Sequence, residues 1–457
     1  MERLTLKEIT EYTSGRIIKG HREQSVCGVC TDSRRVNSED LFIPIIGEVN
    51  DAHKFLPQVV KAGCRAMLIS DEKYADSCGD DAGVILVENT TEAMQSMAKH
   101  YLAGLNLLKV GVTGSVGKTS TRDMVYYILK TKYKTGRPIE NYNNIYGVPL
   151  TIFSLDNSYE AAVFEMGMER FGQIEILADM IRPQVGIITN IGVSHMEHLG
   201  TRANIRKSKM QITNFMGNDD LLVINADNDM LDKATCGGNY RLMSVGTDKS
   251  CDYCVSDVRE EFEGVSFSLA NKEQKSAFHL PVHGRHNAVN AGLAVAACSN
   301  FGIDMCTAAD GIRNMRLTGK RLLVRSGKEV RIIDDSYNAS PESMNAALEI
   351  IASMPAERRI AILGDMRELG DVEEEAHKKI GEKIASMNID LLIGVGSLAI
   401  LMADEASRHG VETVCYPDAE HLSMDLGHLI NNGDLILVKA SHAVGLSDIA
   451  DELAEKY

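Results

Sequence analysis

Leu108-Lys-Val-Gly-Val-Thr-Gly-Ser-Val-Gly-Lys-Thr-Ser120 is the stretch on which the reading of this 457-residue chain turns. A short apolar run stops at a glycine-rich turn, and a helical pattern from Arg122 to Leu129 follows it. Glycines let backbone N–H groups converge on phosphate oxygens, Lys118 adds a mobile cation, and the Thr119 hydroxyl can hold Mg²⁺. Strand before, helix after and Gly-Lys-Thr-Ser at the junction argue against a chance glycine-rich turn. The stretch predicts a P-loop that binds a nucleoside triphosphate through Thr113, Gly114, Ser115, Val116, Gly117, Lys118, Thr119 and Ser120.

Working outward, Ala161–Phe164 runs into Glu165, Val185–Ile188 into Thr-Asn, and Leu221–Ile224 into Asn-Ala-Asp. Apolar strands alternating with helical stretches predict a parallel α/β sheet, whose ligands gather beyond the strands' carboxyl ends. The alternation starts again in Val330–Ile333, Ile360–Leu363, Leu391–Val395 and Leu435–Val438, which reads as a second doubly wound α/β unit. Before the P-loop, Asp40–Ile46 and Arg65–Ser70 read as buried strands of a small mixed α/β zone, and Thr90–Leu105 as a helix. The predicted division is 1–88, 89–316 and 317–457.

Lys plus Arg is 48 against 64 for Asp plus Glu, a net charge of −16. That balance argues against a nucleic-acid binder, which needs a basic surface to displace counterions, but leaves room for a phosphate-bearing small ligand. With no Trp and 5% aromatic residues, a stacking platform for single strands is not expected either. The start Met1-Glu-Arg-Leu-Thr-Leu-Lys-Glu has no apolar signal region, and no apolar run is long enough to span a membrane. Ten scattered Cys then suggest reduced thiols in the cytoplasm. Cys27-Gly-Val-Cys30 and Cys251-Asp-Tyr-Cys254 could in principle build a tetrahedral zinc site. The pairs lie more than 200 residues apart and Val26–Thr31 alternates like a strand, so ordinary buried thiols are expected. His195-Met-Glu-His198 lacks the metalloprotease order, and Asp371-Val-Glu-Glu-Glu375 reads as the first turn of a solvated helix.

Three residues beyond the P-loop bear on the chemistry. Glu165, ending a buried strand, reads either as a Mg²⁺ ligand near the phosphates or as an exposed strand-end carboxylate. His195 ends the neighbouring strand; from the residue alone, a hydrogen-bonded structural histidine is the commoner outcome, and imidazole is an unusual Mg²⁺ ligand. Wound as a helix, Thr201–Met216 brings Ile205, Ile212 and Met216 within about 20° of one line, with Lys209 on that stripe and Lys207 opposite. An inward lysine is costly unless paired or chemically changed, the alternative being a side chain that snorkels out along the stripe.

Together these motifs resemble the Mur ligases over essentially the whole chain. The most specific stretches are Asn143-Asn-Ile-Tyr-Gly-Val-Pro-Leu150, Glu165-Met-Gly-Met168, Thr189-Asn-Ile-Gly192, Asp334-Asp-Ser-Tyr-Asn-Ala339 and Leu363-Gly-Asp-Met-Arg-Glu-Leu-Gly370. The resemblance implies three domains: a small mixed α/β unit, a central P-loop ATPase sheet and a Rossmann-like carboxyl-terminal unit. It implies an ATP-dependent amide ligase that activates a UDP-N-acetylmuramoyl-tripeptide as an acyl phosphate and joins it to D-alanyl-D-alanine. The alternatives are a sister ligase adding one amino acid to a UDP-muramoyl peptide, or a folylpolyglutamate-type ligase. Carried over by position, Lys118 and Thr119 match ATP and Mg²⁺ positions, Glu165 and His195 match Mg²⁺ ligands, and Lys209 matches the lysine that relatives carbamylate. His286, Asn287 and Asn290 match a segment near the nucleotide, Arg321 an arginine turned onto the ATP phosphates, and Asp335 and Asn338 nucleotide-side residues. Ser33 and Arg34, in Thr31-Asp-Ser-Arg34, match contacts to the UDP moiety. Lys320, Ser340, Asp51-Ala-His53 and Lys439-Ala-Ser-His442 depart from the residues usual there. The resulting expectation is a cytoplasmic monomer that uses ATP and Mg²⁺.

Overall fold

The strand that carries the P-loop, Leu108–Thr113, lies inside a nine-stranded sheet with neighbours on both sides. Ala161–Glu165 pairs parallel to it on one side, and Val185–Ile188 on the other. The computed structural model describes residues 1–47, 50–138, 141–261 and 263–457, and the strand counts here refer to those residues. The chain moves to one edge through Thr135–Gly136, returns beside the P-loop strand, then crosses it and continues outward through Leu221–Asn225 and Arg241–Gly246. The reversal of direction therefore falls at the P-loop, where the carboxyl ends of three strands converge.

These strands are apolar throughout because both faces are covered, yet the period of two still sorts their side chains. Val110, Val112, Ala161, Val163, Leu221 and Val223 enter one core, packed by the helices Lys118–Leu129, His286–Ser299 and Met305–Ile312. Ala162, Phe164, Leu222 and Ile224 enter the other, under the helices Thr90–Ala103, Gly147–Phe153 and Gln173–Ile181. That second core does not stop at the central sheet. It runs on through Met94, Met97 and Tyr101 to Leu6, Ile9, Leu41 and Leu68 of the amino-terminal region. There a five-stranded sheet orders Arg16–Lys19, Gly83–Leu86, Ala66–Ile69, Asp40–Phe42 and Gly28–Cys30, antiparallel only at its first pair.

The carboxyl-terminal region holds a six-stranded sheet in the order Leu323–Ser326, Arg331–Asp334, Leu435–Lys439, Arg359–Gly364, Leu391–Val395, Glu412–Tyr416. All pairs but the first are parallel, and each face has its own core. No helix among the described residues is long and apolar enough to cross a membrane.

The expected strands and helices are present, with four differences. Asp40–Ile46 is a strand only to Phe42. Thr201–Met216 is not one helix: the α-helix Arg202–Met210 tightens into a 3₁₀ turn at Gln211–Thr213. Three antiparallel strands, Tyr253–Glu261, Gly264–Ala270 and Lys275–Leu280, extend the central sheet beyond its parallel part. Only one face of these strands is buried, so their polar alternation shows no continuous apolar run. Finally, Cys27, Cys30, Cys251 and Cys254 are free but half-buried rather than fully buried, and Cys27 falls between two short strands.

Phe164 is fully buried where the shared core meets the central sheet. Phe164→Ala should cost about 3–5 kcal/mol through lost transfer energy and a residual cavity, read as a lower midpoint of thermal unfolding.

Candidate functional site

The P-loop folds tightly against the segment that follows the neighbouring strand. Gly114 has φ +151°, and a Cβ there would lie 1.8 Å from Thr189 Oγ1. Gly117 has φ +81° at the cap of the helix Lys118–Leu129, and its Cβ would stand 3.0 Å from Asn290 Oδ1. Asn190 braces the loop by accepting from Val116 N through Oδ1 at 2.8 Å and from Ser115 N through its carbonyl at 3.1 Å. Lys118 Nζ donates to the carbonyls of Gly114 and Ser115 at 2.7 and 3.0 Å. Burial draws the Lys118 ammonium down to about 8, with the Arg321 charge adding and Glu165 opposing.

Glu165 is 1% exposed, so of its two readings the exposed strand-end carboxylate is excluded. Its Oε2 accepts from Thr119 Oγ1 at 2.9 Å and its Oε1 from Asn143 Nδ2 at 2.9 Å. Arg122 Nη1, on the first turns of the P-loop helix, stands 3.5 Å from Oε2. Burial by itself would raise this carboxyl, but Arg122, Arg321, Lys118 and the Asn143 amide together hold it below the usual glutamate range. Thr113 Oγ1, at the end of the P-loop strand, is buried without a hydrogen-bond partner among the described residues. Hydroxyl and carboxylate oxygens gathered here form a donor set that suits Mg²⁺.

Lys209 is 2% exposed while Lys207 is exposed and reaches over the Phe171 ring, as the helical phase predicts. Snorkelling is thereby excluded for Lys209. Ser208 Oγ donates to Met168 Sδ at 2.8 Å, which ties this helix to the Glu165–Met168 segment. No hydrogen bond or ion pair reaches Lys209 Nζ among the described residues. Burial, reinforced by the Lys118 charge, pushes its ammonium well below the ordinary lysine range.

His195 caps the short helix Met196–Leu199 at φ +63°, a strained backbone for a residue with a Cβ. Its Nδ1 lies 2.6 Å from Glu368 Oε2 of the carboxyl-terminal region. The carboxylate stands beside Nδ1 as a charge contact off the hydrogen-bonding line, and Nε2 is left for a ligand. Glu368 is itself held in place, because His377 Nε2 accepts from Met366 N at 2.9 Å and Ser441 Oγ from Arg367 N at 2.9 Å.

Arg321 lies with its guanidinium 4.3 Å from the centre of the Tyr337 ring. The two residues, with Thr119, Arg122, Asn141, Thr318 and Gly319, line a cavity of about 400 Å³ between the P-loop helix and the carboxyl-terminal region. Asn290 bonds Asn287, which in turn bonds the His283 carbonyl, at 3.1 and 2.7 Å. His286 is exposed on the first turn of the same helix. Across the gap, Asp335 accepts from Lys439 Nζ at 2.5 Å and from Leu322 N at 3.2 Å, and the Asn338 carbonyl accepts from Lys439 at 2.8 Å. Ser33 and Arg34 stand apart in the amino-terminal region, where Arg34 forms an exposed pair with Asp32 at 2.8 Å. Sequence reasoning missed Asn190, Arg122, Asp123, Tyr337 and Glu368 as site residues. Arg122 and Asp123 carried a signal, two charges inside the first turns of a helix that must be buried.

Residues 112–298 match the family model of the Mur ligase middle domain, and residues 320–442 that of the Mur ligase glutamate ligase domain. The chain belongs to the Mur ligase family. Among Mur ligases, it is 37% identical over 460 residues to the UDP-N-acetylmuramoyl-tripeptide--D-alanyl-D-alanine ligase of Bacillus subtilis, covering 100% of this chain and 99% of the relative. A crystal structure of MurF from Acinetobacter baumannii superposes with a TM-score of 0.90 at 26% identity, covering 100% of both chains. MurF ligase from Thermotoga maritima in complex with ADP gives 0.81 at 25% identity, over 93% of this chain and 97% of that one.

Lys209 generates a pH signature for this Mur ligase. Its ammonium is depressed well below the ordinary lysine range in the folded state, so between the folded and unfolded pKa the unfolded chain binds the extra proton and stability rises with pH toward the ordinary lysine value. In CO₂-free buffer, Lys209→Met should therefore melt higher than the parent at pH 7. The gap should narrow toward pH 10, at about 1.4 kcal/mol for each pH unit over which only the unfolded state holds the proton. Paired thermal melts across that range measure it.

Proposed function

We propose that the chain is an ATP-dependent, ADP-forming ligase that joins D-alanyl-D-alanine to UDP-N-acetylmuramoyl-tripeptide, giving the UDP-muramoyl pentapeptide used in peptidoglycan synthesis. The observation that carries this reading is that Lys118, Glu165 and Arg321 lie within range of one another's charge beside the cavity lined by Thr119 and Arg321, in a sequence related over its full length to ligases of that name. It works as a cytoplasmic monomer of three domains, 1–88, 89–316 and 317–457, a division supported by one main sheet in each.

A carboxylate is a poor electrophile, and phosphorylation of the tripeptide's terminal carboxylate supplies a leaving group. The dipeptide amine then attacks the acyl phosphate, and phosphate departs from the tetrahedral intermediate. The P-loop residues Thr113 to Ser120 bind the triphosphate, and Lys118 and Arg321 oppose the charge on the transferring phosphoryl group. Thr119, Glu165, His195 and a modified Lys209 would hold Mg²⁺, which would supply positive charge to offset that of the phosphates. Burial favours the neutral amine of Lys209, which can attack CO₂; loss of the amine proton leaves a carbamate anion with oxygen donors. His286, Asn287 and Asn290 from one side, with Asp335 and Asn338 from the other, enclose the nucleotide. Ser33 and Arg34 contact the UDP moiety. Contacts between the central and carboxyl-terminal regions exclude water from the acyl phosphate.

Two measurements test the reading. ATP alone, or ATP with D-alanyl-D-alanine, should release almost no phosphate, whereas both substrates together should release it in step with pentapeptide. Free D-alanine should substitute poorly, and a product heavier by one amino acid rather than two alanines would reject the assignment. Lys209→Ala should lose nearly all activity and regain part of it with acetate, which can occupy the carbamate's place. Lys207→Ala should stay active, because its side chain is exposed on the other side of the helix.

A further inference from the structure

Beside the P-loop lies a charged pair that the proposed chemistry does not use. Arg122 and Asp123 sit on the second turn of the helix opened by Lys118 and Thr119, and both are completely buried. Arg122 Nε and Nη2 donate to Asp123 Oδ1 at 3.1 and 2.7 Å, and Arg137 Nη1 donates to the same oxygen at 2.8 Å. Neighbouring helix residues do not normally face one another, so a pair at successive positions, sealed from water, needs a reason beyond the helix.

The second carboxylate oxygen supplies one. Asp123 Oδ2 accepts from the backbone N–H of Thr318 at 2.6 Å, while Oδ1 also takes the Thr318 hydroxyl at 3.1 Å. Thr318 belongs to the segment joining the central and carboxyl-terminal sheets, and Arg321 follows three residues later, after a turn at Gly319 with φ +80°. Three residues span at most about 10 Å, so clamping Thr318 confines where the Arg321 backbone can be. From the far side, Lys320 Nζ is tied to Asp451 at 2.6 Å and to Ser447 Oγ at 2.7 Å on the last helix. The segment is thus pinned on one side of Arg321 to the P-loop helix and beside it to the carboxyl-terminal region.

We propose that Asp123 is a positioning residue that, through Thr318, presents Arg321 to the phosphate site, while Arg122 connects the same anchor to Glu165. The proposal rests on the reading of Arg321 as a phosphate-facing residue. Asp123 itself is sealed beneath the segment and touches neither ATP nor acceptor. Its effect passes through Arg321 and disappears when Arg321 is absent.

The test is a double-mutant cycle in the full chain, read by calorimetric binding of a non-hydrolysable ATP analogue with Mg²⁺. Arg321→Ala should weaken binding at least tenfold and Asp123→Asn at least fivefold. The double variant should bind within twofold of Arg321→Ala alone. Turnover of Asp123→Asn at saturating ATP should also fall at least tenfold, which separates mispositioning from weaker binding. If Asp123→Asn is unfolded by circular dichroism, Thr318→Pro takes its place, since it removes the clamped N–H and leaves the buried charges paired. Equal factors for the Asp123 change in both backgrounds would mean a merely structural role and overturn the proposal while leaving the ligase reading intact. An Arg321→Ala variant that binds the analogue like the parent would instead overturn the phosphate role of Arg321, and this proposal with it.

Discussion

Glu165 keeps a negative charge where almost no water reaches it, and the surroundings of the P-loop are organised around that fact. A lone buried carboxylate would take up a proton, since the cost of desolvating its anion is several kcal/mol. Here Thr119 and Asn143 supply hydrogen bonds, while Arg122, Arg321 and Lys118 supply opposing charge from three directions. The arrangement is reciprocal. The cations that keep Glu165 ionised are in turn offset by its charge.

The carboxyl-terminal region enters this cluster through side chains rather than through a continuous core. Glu342 Oε1 accepts from Val193 N at 2.8 Å, Glu368 stands behind His195, and Tyr337 meets Asn141 across the cavity. Each contact falls on a loop at the carboxyl end of a central strand, where small shifts do not disturb the sheet. Polar contacts of this kind can be made and broken on the timescale of turnover, which apolar cores cannot.

Much of this was legible in the chain itself, for identifiable reasons. A parallel strand covered on both faces leaves an unbroken apolar run, so Leu108–Thr113 and its neighbours announced themselves, and the glycines after Thr113 marked the turn. Helical phase separated buried Lys209 from exposed Lys207 because one face of that helix is apolar. The antiparallel strands from Tyr253 to Leu280 were not legible, since with one face open to water their alternation is hard to tell from an ordinary polar segment. Nor was the partnership of His195 with Glu368, or of Asp123 with Thr318, since pairs so far apart in the chain leave no local periodicity. In Asp40–Ile46 the residues are buried only as far as Pro44, with Ile45 half-buried and Ile46 exposed; Pro44 cannot donate to a ladder, and pairing ended at Phe42.

The core under the helix Thr90–Ala103 is continuous from Leu6 and Leu68 to Phe164 and Ile224, whereas the fully buried residues on the two faces of the last sheet all come from that region, with Val193 of the central region packed only at the margin of one. Mechanically, the molecule is therefore two bodies and not three. The amino-terminal and central regions share their oil and must melt together, so damage to either is felt by both. The last region is held by one covalent strand of linker and a few polar clasps. A protease that cuts between Arg316 and Leu322 would free it as an intact fragment, whereas a cut near residue 88 would release nothing that could keep its shape.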